Sequence, residues 1–240
     1  MSVQTLPSPT RSGSRSGRAL NGILRPSQHP VAVVVVALAG VVIVTGAGFA
    51  LRSHPFDLAL AQALNTLHTG ALGAVTSLVY HGLEPASAIA ITVLATAVIW
   101  LSTRQLPVAA AFAGTVAITW IPSDVVKILV HRPRPEAGLM SHPFSPVQVD
   151  PSFPSGHTVF ITAFVVALVF VLRGTRWMPV GVGVGAVLVL GVAVSVSIDA
   201  VHYPSDAAAS IFWSLAVAPG VRVVWVDWLM PRIPLLRTRA

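Results

Sequence analysis

The chain has 240 residues, of which 54% are hydrophobic and 10% charged, with a net charge of +7 and no cysteine. This usage, with a mean hydropathy of +0.78, excludes an ordinary soluble domain, and the missing cysteines exclude disulfides and thiolate metal sites. The basic balance is not a nucleic-acid signature, because the arginines fall in tails and short loops between apolar runs, with almost no interleaved aromatics.

In chain order, residues 1–30 are rich in Ser, Pro, Gly and Arg without apolar periodicity, and read as a disordered basic tail. Val31 to Leu51 is an apolar run of about the ~20 residues that cross a bilayer, longer than the ~7–15 of a signal-peptide core. From His54 to Gly82, Asp57, Gln62, Asn65 and His68 interrupt the apolar positions, a pattern suited to helices lying in the interface. Further spans run from Pro85 to Thr103 and from Pro107 to about Val126. A polar loop rich in Pro and His covers His131 to Phe153. Spans follow from Ser155 to Leu172, from about Val180 to Ile198 and from about Ser205 to Val226. The expected architecture is all-α: a six-span membrane domain over residues 31–228, with an interfacial helical segment between spans one and two. Residues 229–240 form a short basic tail.

Six crossings place Arg11, Arg15, Arg18, Arg25, Arg104, Arg173 and Arg176 on one side, which the excess of positive charge assigns to the cytoplasm together with both termini. Trp100, Trp177, Trp225 and Trp228 fall near that face, as an aromatic belt does. Alternation then carries three polar clusters to the opposite, extracytoplasmic end: Lys127 with Arg134-Pro135, Pro154-Ser155-Gly156-His157, and His202 with Asp206.

These residues suit a phosphate. Phosphoryl transfer depends on positioning and charge stabilisation, and Lys127 and Arg134 supply cations. Ser155 can cap the fourth span while the free N–H groups of its first turn, with Gly156 leaving the backbone open, point at an anion. Lys127-x6-Arg134-Pro135, Pro154-Ser155-Gly156-His157 and Ser195-x6-His202-x3-Asp206, in this order and at matching membrane ends, resemble the type 2 phosphatidic acid phosphatase family, the lipid phosphate phosphatases related to vanadium haloperoxidases. The resemblance covers about residues 55 to 225. It implies that His202 attacks phosphorus to give a phosphohistidine, that Asp206 holds the imidazole, and that His157 protonates the leaving group and then activates water. It departs at one place: the family's third motif begins Ser-Arg, and here Ser195 precedes Val196. Arg132, beside Arg134, is the candidate to replace that cation and joins the phosphate-binding set. Asp124, one turn before Lys127, is the candidate partner of that lysine.

The implied substrates are amphiphilic phosphates: phosphatidate, phosphatidylglycerophosphate, or isoprenoid diphosphates such as undecaprenyl diphosphate, met at the outer face of the cell (inner) membrane among membrane lipids. A phosphotransferase using the same phosphohistidine, and a lipid-phosphate binding or transport protein left weak by Val196, are the alternatives. No metal or cofactor is expected, since the His202-x3-Asp206 pair is crossed by Pro204 and has no third ligand at suitable spacing. Gly181 and Gly185 read as a small-residue surface for close helix packing, and Arg222 as a side chain reaching the cytoplasmic surface. His29, His54, His68, His81 and His142 show no convergent pattern. The topology is open to test in this cysteine-free chain: in intact cells an impermeant thiol reagent is expected to label His142→Cys and spare Arg104→Cys, and the reverse pattern overturns the orientation.

Overall fold

The computed structural model describes residues 22–237, and the part of the expected tail at residues 1–21 lies outside them. Nine α-helices follow one another among the described residues: α1 Pro30–Ser53, α2 Leu58–Asn65, α3 Gly70–Gly82, α4 Pro85–Thr103, α5 Leu106–Trp120, α6 Ser123–Val130, α7 Gly156–Leu172, α8 Met178–Ile198 and α9 Pro204–Arg222. There is no strand among the described residues. α1, α4, α5 with α6, α8, and α9 with its extension to Arg232 are each long and apolar enough to cross a membrane. α7 is apolar but has 17 residues, the short end of the ~17–25 that span a bilayer.

Several boundaries have visible causes. Pro residues at the first turns of α1, α4, α5, α8 and α9 begin those helices, where a missing N–H costs nothing. The third expected span is broken after Trp120, because Pro122 cannot continue the hydrogen-bond ladder; the Ser123 hydroxyl donates to the Trp120 carbonyl at 2.7 Å, and α6 restarts. α6 ends on His131 in the left-handed conformation, whose N–H reaches the Lys127 carbonyl. Beyond Arg222 the last helix widens into a π-helical stretch, Val223–Leu229.

α9 is the central helix, packed most extensively on α1 and α7 and also on α5 and α8. Half of the apolar stretch of the last helix is buried, against 11% in the peripheral α4, so α9 carries the protein core and α4 leaves most of its apolar surface exposed. Close approach depends on small residues. A Cβ at Gly220 would overlap Ala37 of α1, one at Gly40 would overlap Ala216 of α9, and Gly181 and Gly185 of α8 meet Leu172 and Val165 of α7. The small-residue surface expected on α8 is thus the α7 contact. In lipid, where apolar contact by itself drives little association, such close packing supplies much of the attraction.

The end of the bundle remote from the polar clusters is tied by Arg222. Instead of reaching the surface, its buried guanidinium donates to the carbonyls of Ile23 (2.9 Å) and Arg25 and to Asp227 Oδ2 (3.0 Å). Gly22–Leu24, expected within the disordered tail, accordingly forms a 3-10 turn with Ile23 fully buried. Trp225 is likewise drawn inward from the expected belt, its indole N–H on the Ala110 carbonyl and its ring lying against Gly114. Gly220→Leu is expected to wedge α1 from α9 and cost about 1–3 kcal/mol, read as a lower melting temperature in detergent. Gly46→Leu is the control, since nothing lies within 4 Å of a Cβ there, and it should not lower that temperature.

Candidate active site

The three polar clusters come together at one end of the bundle, around a cleft of about 280 Å³ bordered by Tyr80, Glu84, Trp120, Lys127, Arg134, Asp150, Gly156 and His157 among others. Lys127 stands on α6, Arg134 on the loop after it, and Gly156 and His157 on the first turn of α7. His202 follows a left-handed turn at Ala200 and lies behind Arg134, whose Nη1 is 3.4 Å from its Nε2 and 2.6 Å from the Val201 carbonyl. The rings of His157 and His202 are 6.5 Å apart between centroids.

Each imidazole is oriented by a backbone carbonyl. His202 Nδ1 lies 2.7 Å from the Ser152 oxygen and His157 Nε2 lies 3.1 Å from the Tyr80 oxygen. A carbonyl only accepts, so these ring nitrogens carry protons, and in the neutral rings His202 Nε2 and His157 Nδ1 hold the lone pairs. The His157 ring also stacks on Tyr80, with centroids 4.3 Å apart. Burial, and then the nearby Arg134, Lys127 and His157, push the His202 pKa well below the usual imidazole value, so that ring is neutral.

Two candidates from the sequence are placed otherwise than expected, and a third meets only part of its expected role. Asp206 does not hold the imidazole: its Oδ2 is 3.8 Å from His202 Nδ1 and instead accepts the Tyr203 N–H at 2.9 Å, capping α9. Arg132 does not face the cleft. It is 1% exposed and donates to Asp206 Oδ1 (2.5 Å), Ser205 Oγ (2.8 Å) and Asp57 Oδ1 (3.0 Å), with its guanidinium 4.0 Å from the centre of the Tyr203 ring. Two carboxylates hold it because a buried cation must be neutralised. Burial works against ionisation of Asp57, but hydrogen bonds from Ser205 and the charge of Arg132 keep its pKa below the usual carboxylate range. Ser155 caps α7 as expected, accepting from Thr158 N, but its hydroxyl is fully buried and outside the cleft wall.

Gly156 does line the cleft. The nearest protein atom to a Cβ there is Trp120 Nε1 at 4.0 Å, so helix packing does not demand glycine, and a side chain would fill cleft volume. Val196 is buried in an apolar cluster with Tyr80, Phe144, Val192, Val201 and Ala207.

The sequence reading missed Asp150, which bridges the two cations: Oδ2 lies 2.6 Å from Lys127 Nζ and Oδ1 lies 2.8 Å from Arg134 Nη2. It, not Asp124, is the partner of Lys127. Tyr80 and Ser152 were also missed, because backbone carbonyls leave no residue-type signal. Asn65, read only as an interruption, bonds the His142 backbone in both directions and donates to the Ile198 carbonyl, tying α2, the polar loop and the end of α8. His68 and His81 gather on Phe144, and His68 Nε2 lies 3.4 Å from the buried Asp199, whose carboxyl pKa is raised by burial.

The family model of the PAP2 superfamily matches residues 106–229, just over half of the chain and all three clusters. The chain belongs to the PAP2 superfamily. Its fold is also that of the crystal structure of a transmembrane PAP2-type phosphatidylglycerolphosphate phosphatase from Bacillus subtilis, with a TM-score of 0.64 and 17% identity over 86% of this chain and 100% of that one. No curated protein matches the chain significantly. The family and its apolar helices make this PAP2 protein an integral membrane protein.

Arg132→Met is expected to leave Asp57 and Asp206 buried without a counterion and cost about 3–5 kcal/mol of stability, measured by thermal unfolding in detergent. Val196→Arg is expected to destabilise as well, since it buries a guanidinium among apolar side chains; a stable Val196→Arg protein would contradict the packing seen there.

Proposed function

We propose that this PAP2 protein is a phosphatase that removes the terminal phosphate of an amphiphilic phosphomonoester or diphosphate at the extracytoplasmic boundary of the cell membrane, through a phosphohistidine on His202. The observation that carries this reading is the lone pair of His202 Nε2, held by the Ser152 carbonyl on the other ring nitrogen and set beside Arg134. Lys127, Gly156 and His157 border the same cleft as Arg134.

In the proposed reaction the phosphate lies against Lys127 and Arg134, with the N–H groups of the first turn of α7 facing it. His202 Nε2 forms the N–P bond as the P–O bond to the lipid breaks. His157, entering the step as imidazolium with the proton brought by the incoming phosphate, gives its Nδ1 proton to the departing oxygen while its Nε2–H stays on the Tyr80 carbonyl. Water then attacks phosphorus, His157 takes its proton, and the N–P bond breaks to release inorganic phosphate. The orienting role that the family resemblance suggests for Asp206 falls here to Ser152. Asp206 supports the nucleophile by capping α9 and by holding Arg132.

The test is release of inorganic phosphate from a panel of lipid monoesters and diphosphates by the purified protein. His202→Ala is expected to abolish release and the phosphoenzyme trapped by rapid quench. His157→Ala is expected to slow release by about 10²–10⁴-fold for alkoxide leaving groups and by less for a leaving group of low pKa. Because burial and neighbouring cations lower the His202 pKa in the free protein, its neutral form persists in acid. The acidic limb of kcat/KM that reports His202 is therefore expected below the ordinary value of 6.5. Full activity in His202→Ala would overturn the mechanism.

A further inference from the structure

We propose that Asp150 is an internal anion that occupies the phosphate cradle at rest and is exchanged for the substrate phosphate in each turnover, setting a common affinity penalty on substrate and product. The inference rests on the cleft being a phosphate site, as proposed above. One carboxylate spreads its two oxygens over Lys127 and Arg134, and the main-chain carbonyl of the same residue takes Arg134 Nε at 2.9 Å. Forked donation from a guanidinium, with a lysine on the second oxygen, is the arrangement a phosphate would receive from these two cations. They cannot give the same hydrogen bonds to both anions at once. Access to the nucleophile points the same way: His202 is fully buried, with the Arg134 guanidinium beside its Nε2. A phosphorus atom reaches that nitrogen only when Arg134 changes partners.

Asp150 is built to be displaced. Its side chain is 50% exposed, in contrast to the enclosed carboxylates on Arg132. It sits in a stretch without helix or strand, and space borders it on two sides: the cleft, and a second cavity of about 460 Å³ lined by Arg52 and His131. The neighbouring Ser152 is anchored, its N–H on the Arg132 carbonyl at 2.8 Å and its hydroxyl on the Pro133 carbonyl at 3.1 Å. The carboxylate can therefore leave without disturbing the carbonyl that orients His202.

The energetic consequence is a uniform one. When the competent state is a fraction of the total, every ligand of that state loses affinity by the same factor. Substrate and inorganic phosphate are weakened alike, and the returning carboxylate helps product leave.

The experiment measures orthophosphate inhibition and KM for one lipid monoester with Asp150→Asn and Asp150→Ala. Both constants are expected to fall together, by about tenfold, as two partly screened ion pairs allow. Unchanged or weaker phosphate binding in both variants overturns the proposal and makes Asp150 a residue that merely holds the cations in place. Unequal factors for the two constants overturn it also. Lys127→Ala and Arg134→Ala, titrated directly with orthophosphate, keep the two readings apart. Their loss of phosphate binding is required by the cradle itself, and its retention sinks the phosphate-site reading whatever Asp150→Asn does.

Discussion

A guanidinium almost wholly out of water, that of Arg132, joins three segments remote in sequence: the turn after α1 through Asp57, the loop after α6, and the start of α9 through Ser205 and Asp206. The charge can stay buried because two carboxylates and the Tyr203 ring surround it. The rest of the site follows from this commitment. With Asp206 engaged by Arg132 and by the cap of α9, the imidazole of His202 is held by Ser152, whose N–H is bonded to the Arg132 carbonyl. One buried cation thus bears indirectly on which acceptor, Ser152 rather than Asp206, takes the Nδ1–H of His202.

Packing in the apolar layer serves the same end. Gly48 of α1 leaves room for the ring of Phe153, which is fully buried against Val130 and the α9 side of the bundle. Phe153 follows Ser152 directly, so a small residue on the first helix helps fix the carbonyl that orients a histidine some 150 residues later. The glycines along α8 and α9 do similar work, bringing helix axes close enough for dispersion to hold them where lipid offers no hydrophobic incentive.

The electrostatics of the cleft oppose two requirements. Burial disfavours a charged histidine, and the cations that attract a phosphate reinforce it, so His202 stays neutral as a nucleophile must. The same cations, left bare, would bind any anion at the membrane surface. Burial opposes the charge on Asp150, yet the hydrogen bond and charge of Lys127, with Arg134, hold its carboxyl below the usual range, so it stays ionised as the counterion of the cleft at rest. With Val196 closed into the apolar cluster, Arg132 held by carboxylates and Asp150 on the remaining pair, the cleft at rest carries less positive charge than the family pattern leads one to expect.

What the sequence by itself determined was the class of molecule, the order of its apolar helices, and the convergence of Lys127, Arg134, His157 and His202 at one end. Each follows from local rules: apolar length, proline at helix starts, and the alternation that sends every second loop to the same side. Only the tertiary structure decided which partner each polar group took. Arg132 and Arg134 are two residues apart and each precedes a proline, yet one turns into a pair of carboxylates and the other towards the cleft. Asp150 and Asp124 are both plausible partners of Lys127, and the nearer in sequence is not the one bonded. Such choices depend on side-chain direction and on loops folding back over long separations, and the orienting carbonyls of Tyr80 and Ser152 belong to the backbone, which no residue type reveals.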